Sequence, residues 1–326
     1  MPTTPGSEVL TEAVRLACRA PSVHNSQPWR WVAEGGALRL FLDRRHLVPG
    51  TDHSGRQAII SCGCALDHLQ VAMLAAGWEA VIGRFPNPNN PDHLASIEFR
   101  RAEHVTRSAD DRVQAILARR TDRLPLAEPT FWSLFEPVLR RALDDRNVTL
   151  QVLDEDAHPK LAAASQLSAA LRRDDYSYHE ELAWWTSRFV VSEGIPPSAL
   201  VSDEERPRVD LARDFPGRSH QSRRPEVEVD WSKILLLSTP EDTRSDALCC
   251  GEALSAVLLE CTMAGLGTCP LTHLIEVAES RDIVRGLLDG PGQPQVLVRV
   301  GVAPPMETVP PPTPRHPLDE VLQIVS

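Results

Sequence analysis

The stretch Ala20-Pro21-Ser22-Val23-His24-Asn25-Ser26-Gln27-Pro28-Trp29 packs five hydrogen-bonding side chains between two prolines. Each proline fixes its own φ and restricts the residue before it, so the polar side chains sit on a stiffened backbone. Most such segments merely connect a helix to a strand, and the flanks have that form. Residues 7–20 place Val9, Leu10, Ala13, Val14 and Leu16 on one helical face behind a Ser7 cap, and Pro21 ends the run. Residues 29–33 and 37–42, separated by Glu34-Gly35-Gly36, read as a hairpin. A rigid array of Ser, Asn and Gln groups also suits a flat heterocycle with a hydroxylated tail.

Further along, residues 54–76 predict a long helix stopped by Gly77, with Ile59, Ile60, Leu66, Leu69 and Met73 at core spacing. Strands are expected at 79–85 and 94–100 around PNPNNPD, then a helix at 108–119 ending in RRTDR. Helices at 130–143, 156–172 and 175–190 and a strand at 148–153 follow. Residues 192–230, rich in Pro and charge, break the pattern and read as a long loop or cap with little to bury and low local stability. A strand at 233–238, helices at 245–264 and 277–288, a strand at 295–300 and a Pro-rich tail complete the chain.

Displacing the chain by 188 positions superposes its two longest apolar helices, CGCALDHLQVAMLAAG (62–77) and CGEALSAVLLECTMAG (250–265). Cys, Gly, Ala, Leu, Ala and Gly coincide. Each helix also precedes a β-containing stretch. The expected organisation is therefore α+β, with two related halves, 1–105 and 106–326, packed as a pseudo-dimer and a cap at about 192–230. The alternative is two unrelated domains with similar helices.

The chain has 326 residues, 42% hydrophobic and 24% charged, which excludes disordered and fibrous classes. A net charge of -11 argues against a nucleic-acid or anionic-membrane partner. No run of about 20 consecutive apolar residues suggests a membrane span, and the acidic start does not read as an export signal. Seven scattered Cys without a CxxC pair suit a reducing cytoplasm, and His179-Glu180-Glu181 lacks the second His of a zinc helix, so no metal is expected. Only two of 34 basic residues are Lys, so an Arg carries weight only through its context. The chain shows neither a GxGxxG nor a GxxxxGK[ST] pattern.

APSVHNSQPWRW resembles the APSxxNxQPW signature of the nitroreductase family, and its His-Asn form followed by Arg-Trp resembles the Acg-like branch. RRTDR (119–123), by itself an ordinary basic helix end, is similar to the family's RRSxR element. The resemblance implies that Arg119, Thr121 and Arg123 hold the phosphate of FMN, a dianion suited to guanidinium forks. PRHPLDEV resembles the family's terminal basic residue, which makes Arg315 a third phosphate ligand. GLGTCPLT (265–272), otherwise a Gly-rich helix cap, resembles the turn that lines the flavin ring, which carries over Pro270, Leu271 and Thr272. From the signature itself come Pro21, Ser22 and Asn25, with Asn25 facing the pyrimidine edge and His24 a packed neighbour.

An ordinary member of the resembled family is a shorter chain, with RRSxR ahead of APSxxNxQPW, that pairs to place flavins at its subunit interface. Here the signature comes first, and each half has what the other lacks. The resemblance therefore implies one composite FMN site per fused chain, acting as a monomeric pseudo-dimer, with further pairing left open. Its function would be passage of hydride from NAD(P)H through the flavin to a nitroaromatic, quinone or similar acceptor, with no catalytic nucleophile in the protein. The rival reading is a flavin-binding or flavin-sequestering protein whose cap leaves little turnover.

Overall fold

The computed structural model describes residues 4–105, 107–187, 192–209, 211–216, 222–306 and 311–325. In chain order the elements are α1 (Ser7–Ala17), β1 (Trp29–Glu34), β2 (Ala37–Leu42), α2 (Arg56–Ala75), β3 (Trp78–Arg84), β4 (His93–Arg101) and α3 (Arg107–Ala118). Then come α4 (Trp132–Arg141), β5 (Thr149–Leu153), α5 (His158–Leu171), α6 (Tyr176–Trp185), β6 (Lys233–Thr239), α7 (Arg244–Met263) and β7 (Leu266–Leu271). The chain closes with α8 (Ala278–Arg285), β8 (Gln293–Val302), α9 (Leu318–Val321) and β9 (Leu322–Val325). The architecture is α+β.

Helices α2 and α7 are apolar around most of their circumference, so neither has a face to offer water, and they pack on each other at the centre. Their contact is reciprocal about two glycines. A Cβ on Gly63 would lie 2.2 Å from the Leu248 carbonyl oxygen, and one on Gly251 would lie 2.0 Å from the Ile60 carbonyl oxygen. Gly63 and Gly251, Ile60 and Leu248, are each 188 positions apart, so the sequence offset that aligns the helices also relates the atoms in contact. Both helices end at a glycine in the left-handed region, Gly77 (φ 83°) and Gly265 (φ 74°), again at that spacing. Helix α2 is long and apolar enough to cross a membrane by length and composition alone, with a mean hydropathy of 1.5, yet 83% of that stretch is buried inside the molecule.

The two sheets repeat one strand order. The first runs β3-β4-β2-β1 and the second β7-β8-β6-β5, with every one of these neighbours antiparallel. The C-terminal strand β9 then crosses back to pair in parallel with β1. The expected boundary near residue 105 falls between β4 and α3, but the tail rejoins the first sheet.

Four expectations need correction. GLGTCPLT is not a turn: only Gly265 caps α7, and Leu266–Leu271 form the edge strand β7, where Pro270 is tolerated because an edge needs one fewer ladder donor. Ser7 opens α1 instead of capping it; Gly6 stands at the cap position. The helix expected at 175–190 ends at Trp185, and residues 188–190 lie outside the described residues. Nor does the segment 192–230 bury little. Leu200, Val201, Val209, Leu211 and Phe215 are all buried, and with Ile195, Leu182 and Tyr178 several of them form a separate apolar cluster. Residues 210 and 217–221 of that segment lie outside the described residues.

Candidate functional site

The polar turn lies where the halves meet. Val23 N donates to Ser61 Oγ of α2 (3.2 Å), and Gln27 N donates to Ser22 Oγ (3.0 Å). His24, Asn25 and Gln27 have φ of 49°, 60° and 51°, three non-glycine residues in the left-handed region within four positions. Such strain costs about 1–3 kcal/mol per residue and persists only where surrounding contacts over-determine it. From the second half, RRTDR runs beside the edge of β7. Thr121 forms a parallel bridge with Thr268, and Asp122 N donates to Thr268 O (2.8 Å).

Between them opens a cleft of about 810 Å³, within the range of small-molecule and cofactor sites. One wall holds Pro21, Ser22, Val23 and His24 with Ile60 and Ser61 of α2; another holds Thr121, Arg123 and residues 269–273. Val209, Arg213 and Phe215 of the segment expected to be a cap line it as well. A smaller recess of about 140 Å³ shares Pro21, Ser22, Thr121 and Arg123 with the cleft and is lined also by Asn25, Arg119 and Arg315. All ten residues singled out in the sequence thus line these two neighbouring spaces, with Pro270, Leu271 and Thr272 on the wide cleft and Asn25, Arg119 and Arg315 on the narrow recess.

The narrow end is a concentration of positive charge. Arg119 is 7% exposed, and among the described residues its Nε and Nη1 have no hydrogen-bond partner, while Nη2 makes one long bond to Arg19 O (3.4 Å). Burial, reinforced by the Arg19 charge, lowers its pKa to about 10, so it stays cationic at neutral pH. Burial and the neighbouring Arg119 and Arg19 lower Arg315 to about 9. Arg123 is lowered in the same direction by burial, and among the described residues it makes one long bond, to Ala199 O (3.4 Å). The acidic residue in this wall, Asp122, is committed elsewhere: it accepts both ends of the buried Arg224 fork at 3.0 and 2.5 Å.

Arg315 is engaged differently from the expectation. Its Nε and both Nη groups donate to the carbonyls of Cys18, Arg19, Ala20, Thr313 and Pro314 (2.8–3.3 Å), which uses all five of its N–H donors. It contributes charge to the recess while its hydrogen bonds fasten the tail to the end of α1. Asn25 joins that fastening, with Nδ2 donating to Pro314 O (3.1 Å).

Three groups escaped the sequence reading: Glu276 and Arg213 beside the wide cleft, and Arg19 at the recess. Glu276, fully buried, accepts from Gln57 Nε2 (3.0 Å), Thr272 Oγ1 (3.0 Å) and Arg213. Despite burial, the Arg213 guanidinium holds its carboxyl down to about 2. Arg213 also donates to Tyr178 Oη (3.0 Å) and Thr272 Oγ1 (3.2 Å), tying the cap segment to the cleft wall. Nothing in the spacing of Arg213 or Glu276 marks them; their meeting is purely tertiary. Arg19 had a signal, since it directly precedes the signature. His24 is 6% exposed, contacts Thr51 Oγ1 at 3.0 Å, and stands edge-on to Phe215 with ring centroids 5.9 Å apart. Burial and nearby Arg213 lower its pKa to about 3, so it faces the cleft neutral.

No family model matches this chain. It is 62% identical over 320 residues to an uncharacterized protein of Mycobacterium tuberculosis, covering 97% of this chain and 93% of the relative. It is 55% identical over 318 residues to the "Putative NAD(P)H nitroreductase acg" of the same organism, covering 98% of this chain and 96% of the relative. Among solved structures, a nitroreductase with bound FMN from Desulfitobacterium hafniense aligns at 12% identity and a TM-score of 0.41, over 66% of this chain and 98% of that one. By its near full-length relatives, the chain belongs to the nitroreductase family, in its Acg-like branch.

Proposed function

We propose that this chain is an FMN-dependent NAD(P)H oxidoreductase with one composite flavin site formed by both halves. The observation that carries the reading is the buried Arg119, whose Nε and Nη1 have no partner among the described residues, lining a small recess that shares four residues with a cleft of about 810 Å³. A buried guanidinium with idle N–H groups is costly, and a phosphate dianion satisfies both the charge and the donors. FMN, when bound, supplies the two-electron chemistry between NAD(P)H and an aromatic acceptor such as a nitroaromatic or quinone.

The protein's own residues bind and orient. Arg119 and Arg123 hold the phosphate, with Thr121 Oγ1 beside them and Arg315 adding charge. Pro21 and Ser22 border both recess and cleft, and Pro270, Leu271 and Thr272 form the opposite wall. Asn25 positions the tail and, through it, Arg315. Neutral His24 offers the cleft a hydrogen-bonding edge without a cation.

Anaerobic mixing of the FMN-loaded protein with NADH or NADPH tests the enzyme reading, with rapid flavin bleaching expected. A second reading is favoured by the lining itself: Arg213 and Phe215 crowd the wide end, and Arg213 and Arg224 make buried ion pairs to Glu276 and Asp122. A protein so closed would hold flavin but bleach only slowly.

A further inference from the structure

On the far side of the polar turn, three segments distant in sequence bring two histidines and a carboxylate together. His46 Nδ1 and His316 Nε2 each stand 3.5 Å from the same oxygen, Glu193 Oε2, and the three atoms lie within 4.8 Å of one another. These separations are too long for good hydrogen bonds. The two histidine-to-carboxylate separations suit a coordination polyhedron instead: with Zn–N and Zn–O bonds of about 2.0–2.1 Å, adjacent ligands of a tetrahedral site stand about 3.4 Å apart.

A second observation points to a ligand. The His316 side chain is 5% exposed, yet among the described residues neither of its ring nitrogens has a hydrogen-bond partner. Nε2 faces the cluster. Nδ1 lies 3.6 Å from Glu320 Oε2, beyond hydrogen-bond length here but within reach of that exposed carboxylate, the kind of outer partner that fixes the tautomer of a metal-bound histidine. His46 and Glu193 are about one-fifth exposed, which leaves room for water as a fourth ligand.

We propose that His46, Glu193 and His316 form a site for a divalent borderline cation such as Zn²⁺, with Glu320 orienting His316. Imidazole and carboxylate donors without thiolate suit such an ion better than Ca²⁺ or Mg²⁺. Its place in the fold gives it a role as a clasp. Gln27 of the polar turn donates to Ser192 O (2.9 Å) and accepts from His316 N (2.9 Å), so one ligand residue and the neighbour of another already grip the turn. The ion would lock the entry of the 192–230 segment and the tail onto the first half. The assignment rests on this cluster alone and not on the flavin reading.

The test is calorimetric titration of EDTA-stripped protein with ZnCl₂, alongside His46→Ala, Glu193→Gln and Glu320→Gln, each checked for an unchanged circular-dichroism melt without metal. The parent is expected to bind one Zn²⁺ per chain at least tenfold more tightly than His46→Ala or Glu193→Gln, with Glu320→Gln about tenfold weaker than the parent. Co²⁺ in place of Zn²⁺ should give visible ligand-field bands without thiolate charge transfer, despite seven cysteines elsewhere. Parent binding no tighter than that of the double variant His46→Ala/Glu193→Gln, or a thiolate-to-cobalt band, would overturn the site. Zn²⁺ should also slow trypsin cleavage within the 192–230 segment in the parent and not in Glu193→Gln; equal rates would overturn the clasp.

Discussion

Arg119 and Arg123 differ in how much each can give a ligand. A charge-assisted hydrogen bond contributes about 1.5–3 kcal/mol, one to two powers of ten in affinity. Arg119→Gln should therefore weaken FMN by about that factor, and Arg123→Glu, which reverses a charge, should abolish retention. Riboflavin, lacking the phosphate, should bind parent and variants about equally by fluorescence titration. If Arg123→Glu holds FMN as tightly as the parent, RRTDR is only a helix end. His24 and His273 carry a different consequence. Burial lowers both to about 3 in the folded chain, against about 6.5 unfolded. The unfolded state then binds more protons below about 6.5, so their stabilisation is complete above that pH and is lost as pH falls toward 3. Glu276, held at about 2 against 4.5 for an ordinary Glu, adds a loss in the same direction below about 4.5. The melting temperature should fall steadily from pH 7 to pH 5, and His273→Gln should flatten that slope; a flat parent profile would contradict the burial argument.

Among the elements, α2 and α7 were legible because all-round apolarity at helical length admits little but a central helix. Strand β7 was hidden because Gly and Pro within six residues look like a turn; its edge position, which no local pattern reports, makes them acceptable. The cap segment was misjudged because its few apolar residues, Leu200 and Phe215 among them, are buried without periodicity, and because buried ion pairs, Arg224 to Asp122 and Arg223 to Glu205, involve residues that hydropathy counts as exposed. The glycine contact between α2 and α7 predicts that Gly63→Ala and Gly251→Ala each destabilise by about 1–3 kcal/mol or more, and by similar amounts, in urea unfolding. Unequal costs would argue against a symmetric crossing. Removing the cap's apolar anchors with Leu200→Ala and Phe215→Ala should raise hydrogen exchange across 192–216 and speed flavin bleaching. Raised exchange with an unchanged bleaching rate would show that the segment walls the cleft without gating it.

At the scale of the whole molecule, the repeated strand order and the shared 188-residue offset support an internal duplication in which the two core helices meet as two subunits would. The proposed composite site draws on both halves: the polar turn from one, RRTDR and β7 from the other. The motifs were legible because their chemistry is local. The return of β9 to the first sheet and the use of Arg315 as a fastener were not, since both join residues nearly 300 positions apart. A duplication that kept both ancestral sites would bind two flavins, and one that lost both would bind none. The FMN-to-chain ratio after saturation, removal of free flavin and quantitative release therefore tests the account most directly: a ratio near one is predicted, and a ratio near two, or none retained, would contradict it.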